Sequence, residues 1–181
     1  MQSDKKNLLK ISKAEADKWI RYGLKKKEED EVNILLSEGN EDKLIESFHK
    51  KLEFGTGGMR GIIGIGSNRI NSYTISLATQ GLCNYLNKFV DGNKSAVIAY
   101  DSRRFSKEFG NQTAKIFSAN NIKSYIFSDL RPTPELSFAV RELNCSCGIV
   151  ITASHNPKEY NGYKVYWNDG GQITSPHDKN I

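Results

Sequence analysis

The apolar run Cys147 to Thr152 ends in Thr152-Ala153-Ser154-His155-Asn156-Pro157. A hydroxyl held in a polar loop at the end of a buried strand is both exposed and fixed. Such a serine serves either as a nucleophile or as the side chain of a local turn that Asn-Pro closes. The hydrolase elbow Gly-x-Ser-x-Gly is not matched. His155 follows directly, and neighbours on a loop can both face one ligand. Lys164 stands ten residues beyond Ser154 on the strand expected after the turn, where a hairpin-like return brings it back toward the loop. A lysine there can neutralise a phosphate, or act as acid and base once its pKa is lowered. It can equally be a solvated strand residue.

Arg60 closes the glycine-dense stretch Phe54-Gly55-Thr56-Gly57-Gly58-Met59. Glycines let backbone N–H groups approach an anion closely. The stretch lacks the Gly-Lys-Ser/Thr of a P-loop, and its glycine spacing is not the dinucleotide fingerprint. A flexible linker has the same composition. Asp101-Ser102-Arg103-Arg104 follows another strand-like run. Asp101 can orient one arginine so that its fork grips a phosphate bidentately, or the pair is a surface ion pair of little energetic weight. Each signal alone is modest. Together they gather arginines, a lysine, a histidine and glycine backbone around one serine, which describes a phosphate site containing a hydroxyl.

Positioning these residues requires strands with loops at their ends. Ser95–Tyr100, Tyr125–Phe127, Cys147–Thr152 and Tyr163–Trp167 read as strands, with a short one over Ile62–Ile65. Helical spacing runs through Ser72–Phe89 and through 106–119, with Ser106 as its cap. Another helix follows Arg131-Pro132, with Thr133 as N-cap and Pro134 at N1. Asn161-Gly162 reads as a turn. Strands alternating with helices predict an α/β fold: three α/β/α layers with a mixed, largely parallel sheet, preceded by N-terminal helices. Ligands in such sheets sit beyond the carboxyl ends of strands, where the Asp101, Arg131 and Ser154 segments all lie. Residues 1–51 read as a helical extension. Ser12-Lys13-Ala14-Glu15 resembles a capping box, and a further helix is expected from near Asn40.

Composition excludes other classes. The 181 residues suffice for one domain with an appendage, and no run approaches the length of a membrane span. No signal peptide is evident, and a cytoplasmic location is expected. Three cysteines argue against a disulfide framework. Cys145 and Cys147 are expected on one face of a strand as buried thiols. The net charge of +5 does not predict nucleic-acid binding, because Lys25-Lys26-Lys27 runs into Glu28-Glu29-Asp30-Glu31 as a solvated helix face.

The segments FGTGGMRG (Phe54–Gly61), YDSRRFS (Tyr100–Ser106), RPTPEL (Arg131–Leu136) and ITASHNPKEYNGYKVYW (Ile151–Trp167) resemble the α-D-phosphohexomutase superfamily, in its phosphoglucomutase/phosphomannomutase group. The likeness runs from about Leu52 to the end, and places domain I of that family at 52–181. It implies that Ser154 is a phosphoserine. The serine would donate its phosphoryl group to a sugar monophosphate, and a 1,6-bisphosphate would reorient and return the other phosphate. Lys164 would be a general acid/base, and Arg60 and His155 would contact the transferring phosphoryl. Arg103 would help hold the loop. Phosphate contacts are expected from Arg60, Arg103, Arg104, Thr152 and Asn156. The serine phosphate would be a ligand of Mg²⁺, and a sugar 1,6-bisphosphate would be the activator. A phosphopentomutase-type enzyme and a non-catalytic phosphosugar-binding module are the alternatives.

The resemblance also implies further domains, including an Asp-Gly-Asp-x-Asp-Arg metal loop, and no Asp-x-Asp-x-Asp occurs here. The chain is therefore expected to be a fragment, partnered by the remaining domains and a phosphosugar but by no nucleic acid or membrane. Phosphate-ester catalysis at its extreme demands over ~20 kcal/mol, while one placed donor supplies about 3–4 kcal/mol. The isolated 181 residues are expected to be inactive.

Overall fold

The computed structural model describes residues 2–181. Three helices come first: α1 (Gln2–Arg21), α2 (Lys26–Leu36) and α3 (Glu41–Phe48). The opposed charge block lies on α2, where Lys26 meets Asp30 at 3.0 Å one turn later. Asn40 precedes α3 as expected. Ser12 does not open a helix. It is buried inside α1, and its Oγ donates to the Leu8 carbonyl at 2.8 Å. The apolar spacing of Leu9, Ala16, Trp19 and Ile20 carries the helix through it, and a mid-helix serine satisfies its hydroxyl on the preceding turn. Ala16, Val32, Leu44 and Phe48 form a small core that also takes in Ile65. Trp19 meets Phe48 and Tyr73 at ring-centroid distances of 5.5 Å. The Tyr73 hydroxyl donates to Glu28 at 2.6 Å, so the helices are packed onto the rest of the chain.

The chain continues as β1 (Gly58–Ile62), α4 (Ser72–Phe89), β2 (Ser95–Tyr100), α5 (Ser106–Ala119), β3 (Lys123–Ile126), α6 (Thr133–Glu142), β4 (Cys147–Ile151), β5 (Tyr160–Trp167) and α7 (His177–Asn180). The strands form one sheet in the order β1-β5-β4-β2-β3. β2 runs parallel to β3 and β4, whereas β4/β5 and β5/β1 are antiparallel. The sheet is mixed as expected but parallel on one side only. β5 follows β4 through a short loop, and a parallel return would need a crossover of a dozen or more residues.

Alternation along the strands feeds two cores. Ile98, Tyr100, Ile149, Ile151, Tyr163 and Val165 pack against Ile75, Leu82 and Leu86 of α4 and against Phe109 and Phe117 of α5. Val97, Ala99, Val150 and Tyr166 pack against Leu136 and Val140 of α6. Helices thus cover both faces in three layers. Cys147 belongs to the first core and Cys145 to the second. They do not share a face, because Cys145 precedes the pleat of β4. Cys83, Cys145 and Cys147 are free and buried, and desolvation raises all three thiols, Cys83 to about 12.

Several local expectations shift. The strand expected at Ile62–Ile65 lies earlier, at Gly58–Ile62, because the glycine stretch itself pairs with β5. Asn161-Gly162 is not a turn: it lies within β5, opposite Gly61 and Arg60. The chain bends before it, where the Tyr160 amide donates to the Pro157 carbonyl at 3.0 Å. Neither Ser106 nor Thr133 caps its helix with a side-chain bond, and the residues before them, Phe105 and Pro132, hold the cap positions.

Gly162 is enclosed by neighbouring backbone. A Cβ there would stand 2.6 Å from the Thr152 carbonyl oxygen and 2.9 Å from that of Met59. Backbone in a central strand cannot yield cheaply, so Gly162→Ala is expected to cost about 2 kcal/mol or more, measured by urea unfolding.

Candidate active site

β2 and β4 are parallel neighbours, so the loops leaving their carboxyl ends lie side by side. One begins at Asp101, the other carries Ser154. β5 returns antiparallel to β4 with Lys164 opposite Val150, and β1 completes this edge with Gly58 opposite Lys164 and Arg60 opposite Gly162. By this register Arg60 and Lys164 project on the same face, and each has a glycine as cross-strand partner in the β1/β5 pair. Gly58 has φ 130°, and a Cβ on it would overlap the Tyr163 carbonyl. The glycine stretch is therefore a close approach of two backbones beside the site.

Ser154 has φ 57°, a left-handed conformation that non-glycine residues rarely hold. Its amide donates to Thr152 Oγ1 at 3.0 Å, and the Asn156 amide donates to the Ala153 carbonyl at 3.1 Å. Thr152 is buried and shapes the loop, whereas Ser154 and His155 are exposed. Lys164 Nζ donates to Ser154 Oγ at 3.0 Å. Arg60 Nη1 donates to Asn156 Oδ1 at 2.7 Å.

Arg103 does something different from gripping a ligand. Nη1 donates to the carbonyls of Pro157 at 2.8 Å and Tyr160 at 3.0 Å. Nη2 donates to those of Ser154 at 2.9 Å and Asn156 at 2.6 Å. Nε faces Asp101 Oδ2 at 3.4 Å. A guanidinium has five N–H groups, and all five directions are engaged. Arg104 is exposed, with its guanidinium over the Phe105 ring at 5.3 Å.

Ser154 stands between two open depressions. Ser154, Arg103, Arg104, Asn156 and Lys158 line one of about 520 Å³. Arg60, Lys164, Thr56, Gly57 and Gln172 line the other, of about 300 Å³. Burial first, then the Arg60 charge, lowers the Lys164 pKa, and Asp101 partly opposes them. The arrangement offers a hydroxyl, an amine readier than usual to give up its proton, and cationic rims on both sides.

Among the described residues no group of three or more His, Cys, Asp or Glu side chains is placed to hold a metal ion. Asp101, the acid of this loop cluster, is already engaged: Oδ1 accepts from the Arg103 amide and Ser106 Oγ, and Oδ2 pairs with Arg103. Ser106 and Asn161 were not anticipated as parts of the site. Ser106 was hidden by its position at a helix start, and Asn161 by its Asn-Gly pair.

A three-layer α/β/α domain whose strand-end loops converge on one hydroxyl is the class defined here. Residues 51–181 match the family model described as phosphoglucomutase/phosphomannomutase, alpha/beta/alpha domain I, and the chain belongs to that family. Human phosphopentomutase is 44% identical over 175 residues, covering 92% of this chain and 29% of that protein. A phosphoglucomutase of Staphylococcus aureus (strain bovine RF122 / ET3-1) is 48% identical over 130 residues, covering 72% of this chain and 23% of its own. A solved structure from Thermus thermophilus, described as a phosphomannomutase, aligns at TM-score 0.67 and 30% identity over 72% of this chain and 29% of its own. The chain thus spans less than a third of the length of these relatives.

Because the native Lys164 holds its proton less tightly than the unfolded chain does, it makes stability rise with pH. The window runs from its lowered value up to the ordinary 10.5. Arg60→Gln removes the repelling charge. The Lys164 titration, followed by NMR of Nζ, is expected to move up toward 10.5, and this part of the pH dependence should shrink.

Proposed function

We propose that this chain is the phosphoryl-carrying domain of a phosphosugar mutase, with Ser154 as the carrier. The observation that carries the reading is the contact of Lys164 Nζ with Ser154 Oγ at 3.0 Å on a loop fixed by Arg103. The family membership supports it, as do the relatives named as mutases of phosphoglucose and phosphopentose. In the forward transfer the bond between phosphorus and Ser154 Oγ breaks while a sugar hydroxyl oxygen bonds to phosphorus and releases its proton to water. Lys164 gives its proton to the departing Oγ. In the return transfer Ser154 Oγ attacks the other phosphate of the bisphosphate, Lys164 takes the serine proton, the bond between that phosphorus and the sugar oxygen breaks, and the sugar oxygen takes a proton from water. An amine with a lowered pKa suits both directions.

Phosphoryl transfer is mainly positioning plus charge stabilisation. Arg60 and exposed His155 would face the transferring phosphoryl, and Arg104 would face it from the other depression. Thr152 and Asn156 shape the loop. Arg103 is assigned as its brace. A phosphoserine brings about −1.5 to −2 charges, which offsets the crowding of Arg60 and Lys164. Mg²⁺, when bound, would stabilise charge on the phosphoryl group, with the serine phosphate as one ligand and donors other than these residues as the rest. A sugar 1,6-bisphosphate would prime the serine.

Protein isolated from its native cells is expected to carry one phosphate, on Ser154, by peptide mass spectrometry, and Ser154→Ala should carry none. An unmodified serine after exposure to glucose 1,6-bisphosphate and Mg²⁺ would sink the reading. The 181-residue chain alone is expected to give no turnover of glucose 1-phosphate under the same conditions in a coupled assay. A pentose phosphate is the second candidate substrate, because human phosphopentomutase is 44% identical over 92% of the chain. Faster turnover of ribose 1-phosphate than of glucose 1-phosphate by the native protein would favour it.

A further inference from the structure

Ser106 is fully buried at the first turn of α5, yet its hydroxyl does nothing for that helix. Oγ donates to Asp101 Oδ1 at 2.7 Å and accepts from Asn161 Nδ2 at 2.9 Å. Asn161 is also fully buried. Its second N–H donates to the Arg104 carbonyl at 3.0 Å, and its Oδ1 accepts from the Gly162 amide at 2.8 Å. The same Asp101 Oδ1 accepts from the Arg103 amide at 2.9 Å. Between Arg104 and Ser106, the two residues that Asn161 bonds, Phe105 is held at φ 64°, a conformation that persists in a non-glycine residue only when its surroundings over-determine it.

We propose that Ser106 is a positioning residue for phosphoryl transfer at Ser154, joining Asn161 of β5 to Asp101 and thereby setting Arg103 and the serine loop. The inference rests on the reading of Ser154 as carrier. Asp101 is the counter-ion of Arg103, and Arg103 donates to the Ser154 carbonyl. Asp101 keeps its orientation through two donors on one oxygen, of which Ser106 is the one anchored to another strand. Lys164 also belongs to β5. The path Asn161–Ser106–Asp101–Arg103 therefore references the loop bearing Ser154 to the strand bearing Lys164. Alanine at 106 would leave Asp101 with one donor fewer and strip Asn161 of a buried acceptor. Such groups are costly to leave unpaired, and the carboxylate would turn to find another.

The test uses the 181-residue chain with phosphoserine encoded at position 154, and follows the phosphate by ³¹P NMR across pH. In the wild type the phosphate should titrate below phosphoserine in an unfolded peptide, because Lys164 and Arg60 favour its dianion. Ser106→Ala should lose at least half of that displacement while the amide resonances of β2 and β4 stay in place. Should Ser106→Ala fail to fold, Ser106→Cys keeps the shape with a much weaker donor and should move the titration in the same direction. A folded variant of either kind with the wild-type titration overturns the proposal, since a purely structural role would lower thermal stability and leave the phosphate unmoved. If the wild-type phosphate itself titrates as in the unfolded peptide, the carrier reading fails first, and the two failures are told apart.

Discussion

One guanidinium holds the loop on which the site depends. The segment from Ser154 to Tyr160 turns four of its carbonyls, those of residues 154, 156, 157 and 160, toward a common point. Backbone carbonyls gathered in this way need donors. Arg103 supplies one N–H to each, and Asp101 neutralises and aims it. The side chain of Arg103 is only 15% exposed, so its bonds are shielded from competing water. A lysine could not replace it, having three donors and no fork. The left-handed turn at Ser154 is tolerable because this scaffold fixes the chain on both sides of it.

The brace reaches the loop only because of strand order. β2 and β4 are parallel neighbours, so residues immediately after each strand meet. β5 then returns antiparallel and brings Lys164 under the loop it has just left. β1 adds Arg60 from the far edge through a register that puts glycines opposite both cations. The result is a concentration of positive charge with one committed acid. Lys164 registers this electrostatic load in its lowered pKa, for which desolvation is the larger cause and Arg60 the next. A site so biased favours an anion beside the hydroxyl it surrounds.

The helices α1 to α3 contribute to this arrangement indirectly. Their small core takes in Ile65, and their hydrogen bonds fall on Asn68, between β1 and α4, and on Tyr73 in the first turn of α4. They fix the start of α4, whose inner face packs against the strands that carry the site.

What the sequence determined by itself was most of the local elements and the order in which they follow one another. Ser72–Phe89 and Ser95–Tyr100 were legible to the residue because their apolar spacing is long and unambiguous. The convergence of Ser154, Lys164 and Arg60 was suggested only by the sum of three segments, because each alone also fits a turn serine, a solvated strand lysine or a flexible linker. Short polar pieces misled where a distant partner decided the outcome. Asn161-Gly162 has turn chemistry, but β1 pairs with it and keeps it extended. Ser106 and Ser12 have capping chemistry, but one is claimed by Asp101 and Asn161 and the other by a longer helix. Whether Arg103 would meet a phosphate or the backbone could not be read from its neighbours in the chain. Its partners lie more than fifty residues away, and only the pairing of β2, β4 and β5 brings them within reach of its N–H groups.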